Sequence, residues 1–234
     1  MTTQSMWAVV PVKPFDVAKR RLMPLLSSDE RAELARQMLE DVLEVLGACT
    51  ILSGVIVITR DRTAGRIAHA TGACVLDDPG FDLNAALRAA IDFLSRYREA
   101  GMIVVPSDIP LLPGSLIGEL AERVARPRAV ALVPATRDGG TNLLACSPVD
   151  AISPGFGPDS FQRHGVAARG AGIVPAVLAS EDAGLDIDRP EDVAAFVSRR
   201  STTRSRAFLA TLDIDARLQC RAHDPLARRQ FLKA

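Results

Sequence analysis

Aromatic residues make up only 4% of this 234-residue chain, with one Trp and one Tyr. Its core must therefore be assembled from Val, Leu, Ile and Ala, and little material is left for stacking sugars. Net charge is missing too. The 28 Lys and Arg are matched by 28 Asp and Glu, so no global basic field gathers nucleic acid, and any anion must be held by a local cluster. Cys49, Cys74, Cys146 and Cys220 contain no CxxC pair, which disfavours a zinc site or a disulfide frame and suggests reduced, singly placed thiols. No apolar run reaches the roughly 18–20 residues that a bilayer span requires. The opening MTTQSMWAVVPVK lacks the charged segment and long apolar stretch of a secretory leader. These absences predict a cytoplasmic protein with one sizeable domain and no membrane or nucleic-acid partner.

What is present is an alternation of strands and helices. Short apolar runs at 7–12, 54–59, 73–76, 102–105, 129–134, 142–146 and 173–178 read as buried strands. Between them lie helical periodicities. One is capped by Ser27 with Glu30 and closed by Gly47; another runs from Leu83 to about Tyr97. Strands apolar on both faces, separated by helices, predict a largely parallel sheet covered on each side. Ligands of such sheets collect beyond the carboxyl ends of the strands, and four polar features fall there.

The first is VVPSDIPLL (104–112), where a buried strand ends on Asp108 between two prolines. A carboxylate there is costly unless a positive group meets it. Mg²⁺ shared with a nucleotide is a natural partner, because magnesium takes one or two carboxylates plus phosphate oxygens. The second is the loop after the first strand, 12–26, with Lys13, Lys19, Arg20 and Arg21 within nine residues. It is an anion site suited to a triphosphate, and it has neither the GxxxxGK[ST] nor the GxGxxG spacing of the common nucleotide loops.

The third is TRDGGTNLLACSPVDAISPGFGPDSFQRH (136–164). Gly139, Gly140 and Thr141 offer backbone N–H groups and a hydroxyl to an oxyanion. Gly157 and Ser160 stand before a helix whose N-terminus suits a second anion. Ser160 taken alone reads as a helix cap, and His164, a candidate base, reads more readily as structural. The fourth is GLDIDRPEDVAAF (184–196). An extended Asp186–Asp188 pair cannot face one site equally. This assigns Asp186 to the metal and Asp188 to the following helix as its cap, with Glu191 completing a capping box; Asp188 stays the alternative ligand.

Taken in order, PVKPFDVAKRRL, LNAAL, PSDIPLL, DGGTNLL, FGPDSFQRH and DIDRPEDV resemble the CofC-type guanylyltransferases of coenzyme F-420 biosynthesis over about residues 6–198. The resemblance implies a three-layer, doubly wound, mostly parallel sheet of the nucleotidyltransferase, nucleotide-diphospho-sugar transferase-like type. It implies transfer of GMP from GTP to 2-phospho-L-lactate, phosphoenolpyruvate or 3-phospho-D-glycerate. Lys13, Lys19 and Arg21 would attend the GTP phosphates, Asp108 and Asp186 would hold Mg²⁺, and Thr141, Gly157 and Ser160 would bind the phospho-acid. Arg189 departs from the Thr of the DxDTP motif in many relatives, which loosens the role of Asp188. A non-catalytic nucleotide sensor and a sugar-phosphate nucleotidylyltransferase are the competing readings. Residues 1–198 make the expected domain. The tail, 199–234, reads as a polar hinge and one helix, whose Phe208, Leu209 and Leu212 are available to a homodimer partner.

Overall fold

Seven strands pair into one sheet in the computed structural model, which describes residues 5–80, 82–96 and 100–222. They are β1 (Ser5–Val12), β2 (Leu52–Thr59), β3 (Cys74–Asp77), β4 (Ala100–Val104), β5 (Ala129–Pro134), β6 (Thr141–Ser147) and β7 (Ala176–Val177). Their order is β3-β2-β1-β4-β6-β5-β7, and only β6 runs antiparallel to its neighbours. The period of two along β1 explains the layering. Ala8, Val10 and Val12 join one apolar cluster, whereas Val9 joins the other. With both faces buried, β1 reads as an unbroken apolar run.

The first cluster packs under α1 (Ser28–Ala48), α4 (Gly114–Arg123) and α6 (Pro190–Ser198); the second packs under α3 (Leu83–Leu94) and α5 (Ser160–Gly170). A shorter α2 (Arg62–Ala70) joins β2 to β3. Tyr97, the expected end of α3, lies outside the described residues. The antiparallel course of β6 follows from its connection: residues 135–140 are too few for a crossover, so the chain turns back as a hairpin. Ala135 N–H bonds to Gly140 O at 2.9 Å, and Asp138 and Gly139 take the left-handed conformation. The consequence is functional. Thr141, the first residue of β6, reaches the same sheet edge as the last residues of β1 and β4.

The expected cap of α1 is present, with Glu30 N–H donating to Ser27 Oγ and Ser27 N–H donating to the Glu30 carboxylate. The cap of α6 differs from expectation. Pro190 at the first helical position keeps Arg189 extended (φ −127°, ψ 162°) and moves the helix start one residue on. Asp192, rather than Glu191, becomes the third helical residue, and its carboxylate accepts from the N–H groups of both Asp188 and Arg189. The side chain of Asp188 is therefore not the cap.

The tail holds two helices where the sequence suggests one: α7 (Arg204–Ala210) and α8 (Ile214–Ala222). Asp41 of α1 accepts from Arg204 N–H at 2.7 Å, Ser205 N–H at 3.0 Å and the Ser205 hydroxyl. Leu209 is fully buried, and Phe208 and Leu212 pack against the main core. The chain's own fold thus uses Leu209 fully and Phe208 and Leu212 in part.

Arg217 of α8 grips Glu30 through two N–H donors at 2.8 and 2.9 Å. That grip comes first among the influences that hold the Glu30 carboxyl down at about 2. A depressed carboxylate contributes stability above its unfolded pKa, and the contribution is lost as pH falls through the folded value. Glu30→Gln preserves the cap but removes the charge. We expect it to cost about 0.5–1 kcal/mol at pH 7, since the pair is largely solvent-screened, with the difference from wild type fading from about pH 4.5 to pH 2. Urea unfolding at several pH values measures this; a cost that does not change with pH would remove the ion pair as its cause.

Candidate active site

The loop from Lys13 to Leu26 carries its cations on an apolar anchor. Phe15, Leu22, Leu25 and Leu26 are buried between them, and Phe15 N–H donates to Asp61 Oδ2 at 2.9 Å. Asp61 also caps α2 through the N–H groups of Thr63 and Ala64, so one carboxylate ties the loop to a helix start. Lys19 adopts the left-handed conformation (φ 54°), an uncommon one for a residue with a side chain. Its ammonium lies inward, 9% exposed, 2.5 Å from Asp108 Oδ2 and 3.7 Å from Asp188 Oδ1. Arg21 Nη1 reaches Asp188 Oδ2 at 2.5 Å from a more exposed position. Lys13 is exposed at the end of β1, near enough to act on Asp188.

These carboxylates do not titrate alike. Burial and the neighbouring Asp108 raise the Asp186 carboxyl, with Lys19 opposing them. Burial also works to raise Asp188, but Lys19, Arg21 and Lys13 outweigh it and hold that carboxyl down. Asp186 is thus a half-buried carboxylate beside another, short of positive charge. Among the described residues, no three His, Cys, Asp or Glu side chains form a group that could hold a metal ion. Asp108 and Asp186 lie near enough for the charge of one to act on the other, and a pair of carboxylates is chemistry that suits magnesium, which completes its shell with water and phosphate oxygens.

The second half of the site is built on β6 and α5. Thr141 N–H donates to Ser160 Oγ at 2.8 Å, and the Thr141 hydroxyl lies 2.9 Å from His164 Nδ1. All three residues are buried. Ser160 therefore accepts from β6 and does not cap its own helix, which starts after Asp159 in the left-handed conformation. Gly157, with φ +129°, is exposed in the loop ahead of that helix.

A chain of hydrogen bonds, all but one between backbone groups, joins the two halves. Ile187 N–H donates to Asp108 O at 3.0 Å, and Thr136 N–H donates to Gly184 O at 2.9 Å. Asn142 Nδ2 donates to Ala183 O at 2.8 Å, and Phe161 N–H donates to Gly139 O at 3.1 Å. Gly184 is required by this belt: a Cβ there would meet Ser180 O and Thr136 Cγ2 at 2.7 Å. Asp108, Asp186, Thr141 and Ser160 are so carried on one bonded rim.

Three participants escape a reading of the sequence. Asp61 and Asp192 are two of many surface-type acids in sequence. Asn84 of LNAAL, whose side chain brackets Phe156 with bonds of 2.8 and 3.1 Å, joins α3 to the loop at 155–157.

The chain matches the family described as guanylyl transferase CofC like over residues 6–229. A phosphoenolpyruvate guanylyltransferase of Roseiflexus castenholzii is 42% identical over 189 residues, 80% of this chain and 86% of the relative. A 2-phospho-L-lactate guanylyltransferase of Methanothermobacter thermautotrophicus is 35% identical over 206 residues, 88% of this chain and 90% of the relative. The crystal structure of a protein from Desulfovibrio desulfuricans G20, described as a nucleotide-diphospho-sugar transferase, superposes with a TM-score of 0.76 at 20% identity, covering 94% of this chain and 98% of the other. Matched over nearly its whole described length and by relatives of this similarity, the chain belongs to the CofC-like guanylyltransferase family.

Proposed function

We propose that the protein transfers GMP from GTP to a small phosphorylated three-carbon acid and releases pyrophosphate, the step its family takes in coenzyme F-420 biosynthesis. The observation that carries the reading is the rim. It joins a basic loop and two neighbouring carboxylates to a pair of buried hydroxyls near the switch point between β1 and β4, where chain direction across the sheet reverses. We assign the reaction to the cytoplasm.

The acceptor's phosphate oxygen is already anionic, so it needs no strong base. It forms a bond to the α-phosphorus of GTP as the bond from that phosphorus to the bridging oxygen breaks, and pyrophosphate leaves with the electron pair. The protein's task is placement and charge neutralisation. Lys13, Lys19 and Arg21 bind the triphosphate and offset charge on the departing pyrophosphate. Thr141, Gly157 and Ser160 hold the acceptor. Asp108 and Asp186 would hold Mg²⁺, which supplies charge stabilisation on phosphate oxygens when bound. Asp188 serves the same loop indirectly, by holding Arg21 and Lys19 in position.

Pyrophosphate release with Mg²⁺ and GTP tests this against phosphoenolpyruvate, 2-phospho-L-lactate and 3-phospho-D-glycerate. We expect release with one acid and its loss when ATP or CTP replaces GTP. GTP binding with no release from any acid would favour the nucleotide sensor.

A further inference from the structure

His164 has both ring nitrogens committed, and this settles where its proton sits. Gly155 N–H donates to Nε2 at 2.9 Å. A backbone N–H can only donate, so Nε2 must present its lone pair. In the neutral ring the proton then lies on Nδ1, and the 2.9 Å contact to Thr141 is a bond donated by histidine to the hydroxyl oxygen. Burial, with Arg163 adding to it, pushes His164 down to about 4, so the neutral ring prevails near pH 7. The edge of Phe156 against the ring, with centroids 4.9 Å apart at 69°, fixes its plane.

The consequence falls on two hydroxyls. Thr141 Oγ1 accepts from His164, and Ser160 Oγ accepts from Thr141 N–H. Neither hydroxyl proton has an acceptor among the described residues, so both are left to donate. The loop beside them is held from two sides. His164 fixes Gly155, and Asn84 fixes Phe156 through both its N–H and its carbonyl. Arg163 donates to Gly155 O at 2.8 Å.

We propose that His164 is a positioning residue for the acceptor. By donating to Thr141 and accepting from Gly155, it aims the Thr141 hydroxyl as a donor and holds the 155–157 loop against it, forming a seat for the anionic group of the phospho-acid. It is neither base nor nucleophile. The proposal rests on the reading of Thr141, Gly157 and Ser160 as the acceptor site.

Two substitutions divide the role. His164→Asn places an amide N–H near the position of Nδ1 and loses the hold on Gly155. His164→Gln keeps an acceptor near the position of Nε2 and loses the donor to Thr141. We expect His164→Ala to raise the KM of the acceptor about 10- to 100-fold, the range for losing a hydrogen bond to a charged group. The KM of GTP should stay within about twofold, and Asn and Gln should each restore part of the loss. Should the Ala variant fail to fold, the Asn and Gln variants carry the comparison. An unchanged acceptor KM in the variants, or an equal rise for GTP, would overturn the role. A separate measurement needs no turnover. Long-range ¹H–¹⁵N correlation of ring-labelled histidine, with His164→Gln to assign the signal, should find the Nδ1–H tautomer, unchanged from pH 6 to pH 8. The Nε2–H tautomer would overturn the proposal even in an active enzyme. The expected tautomer in a protein that turns over no acid would instead count against the proposed reaction.

Discussion

Asp108→Asn is expected to leave the fold intact and to lower turnover by about 10²- to 10³-fold, the loss typical when one preorganised electrostatic partner is removed from a reacting centre. The two side chains are nearly isosteric. The bond that anchors this turn, from Ile187 N–H to Asp108 O, uses the backbone and survives the change. What disappears is one negative charge in the turn that follows β4. Lys19 loses the charge of its 2.5 Å partner, and Asp186 loses the like charge that helps to raise it. Asp186 should therefore ionise more readily in the variant, yet a single carboxylate then remains to face a divalent cation. Pyrophosphate release measures the loss, and the thermal midpoint checks the fold. Near-wild-type turnover in a folded Asn variant would end the assignment of Asp108 to the reacting centre.

That Asp108 is conspicuous in the sequence while other members of the site are not has a physical basis. A carboxylate ending an apolar run breaks a strong local pattern, and the cations of 12–26 stand out against a neutral chain. Both signals are local. The strands are legible for the same reason, since β1, β2 and β4 declare their burial residue by residue. The role of Asp188 depends instead on one residue's shift in a helix start, imposed by Pro190, and that shift passes the cap to Asp192. The direction of β6 depends on the length of a six-residue connection. His164 and Asn84 are ordinary polar residues on helices until the chain returns through 155–157 to meet them. Their partners lie 9 and 72 residues away, at Gly155 and Phe156, and no periodicity encodes such pairings. The tail's apolar residues are equally ambiguous in sequence, because a partner's surface and the chain's own α1 demand the same side chains.

Lys19→Ala is expected to weaken GTP binding by about 10- to 100-fold, the effect of removing one charge-assisted contact to a phosphate, while the KM of the acceptor changes little. A second consequence separates this lysine from a merely attractive surface charge. Its ammonium faces Asp108 and Asp188, and it is the charged group that opposes the upward shift of Asp186. Removing it leaves half-buried carboxylates with less positive charge between them, so the variant should be less stable than wild type at pH 7 and gain stability as Asp186 protonates on acidification. Magnesium should then raise the thermal midpoint of the variant more than that of wild type, because binding to the folded state alone stabilises it and no ammonium competes for the same oxygens. Calorimetry with GTP, and thermal unfolding with and without Mg²⁺, give the two results independently. Unaltered GTP affinity would remove Lys19 from the triphosphate site. Equal magnesium shifts in the two proteins would mean that the carboxylates beside Lys19 are not where the ion binds.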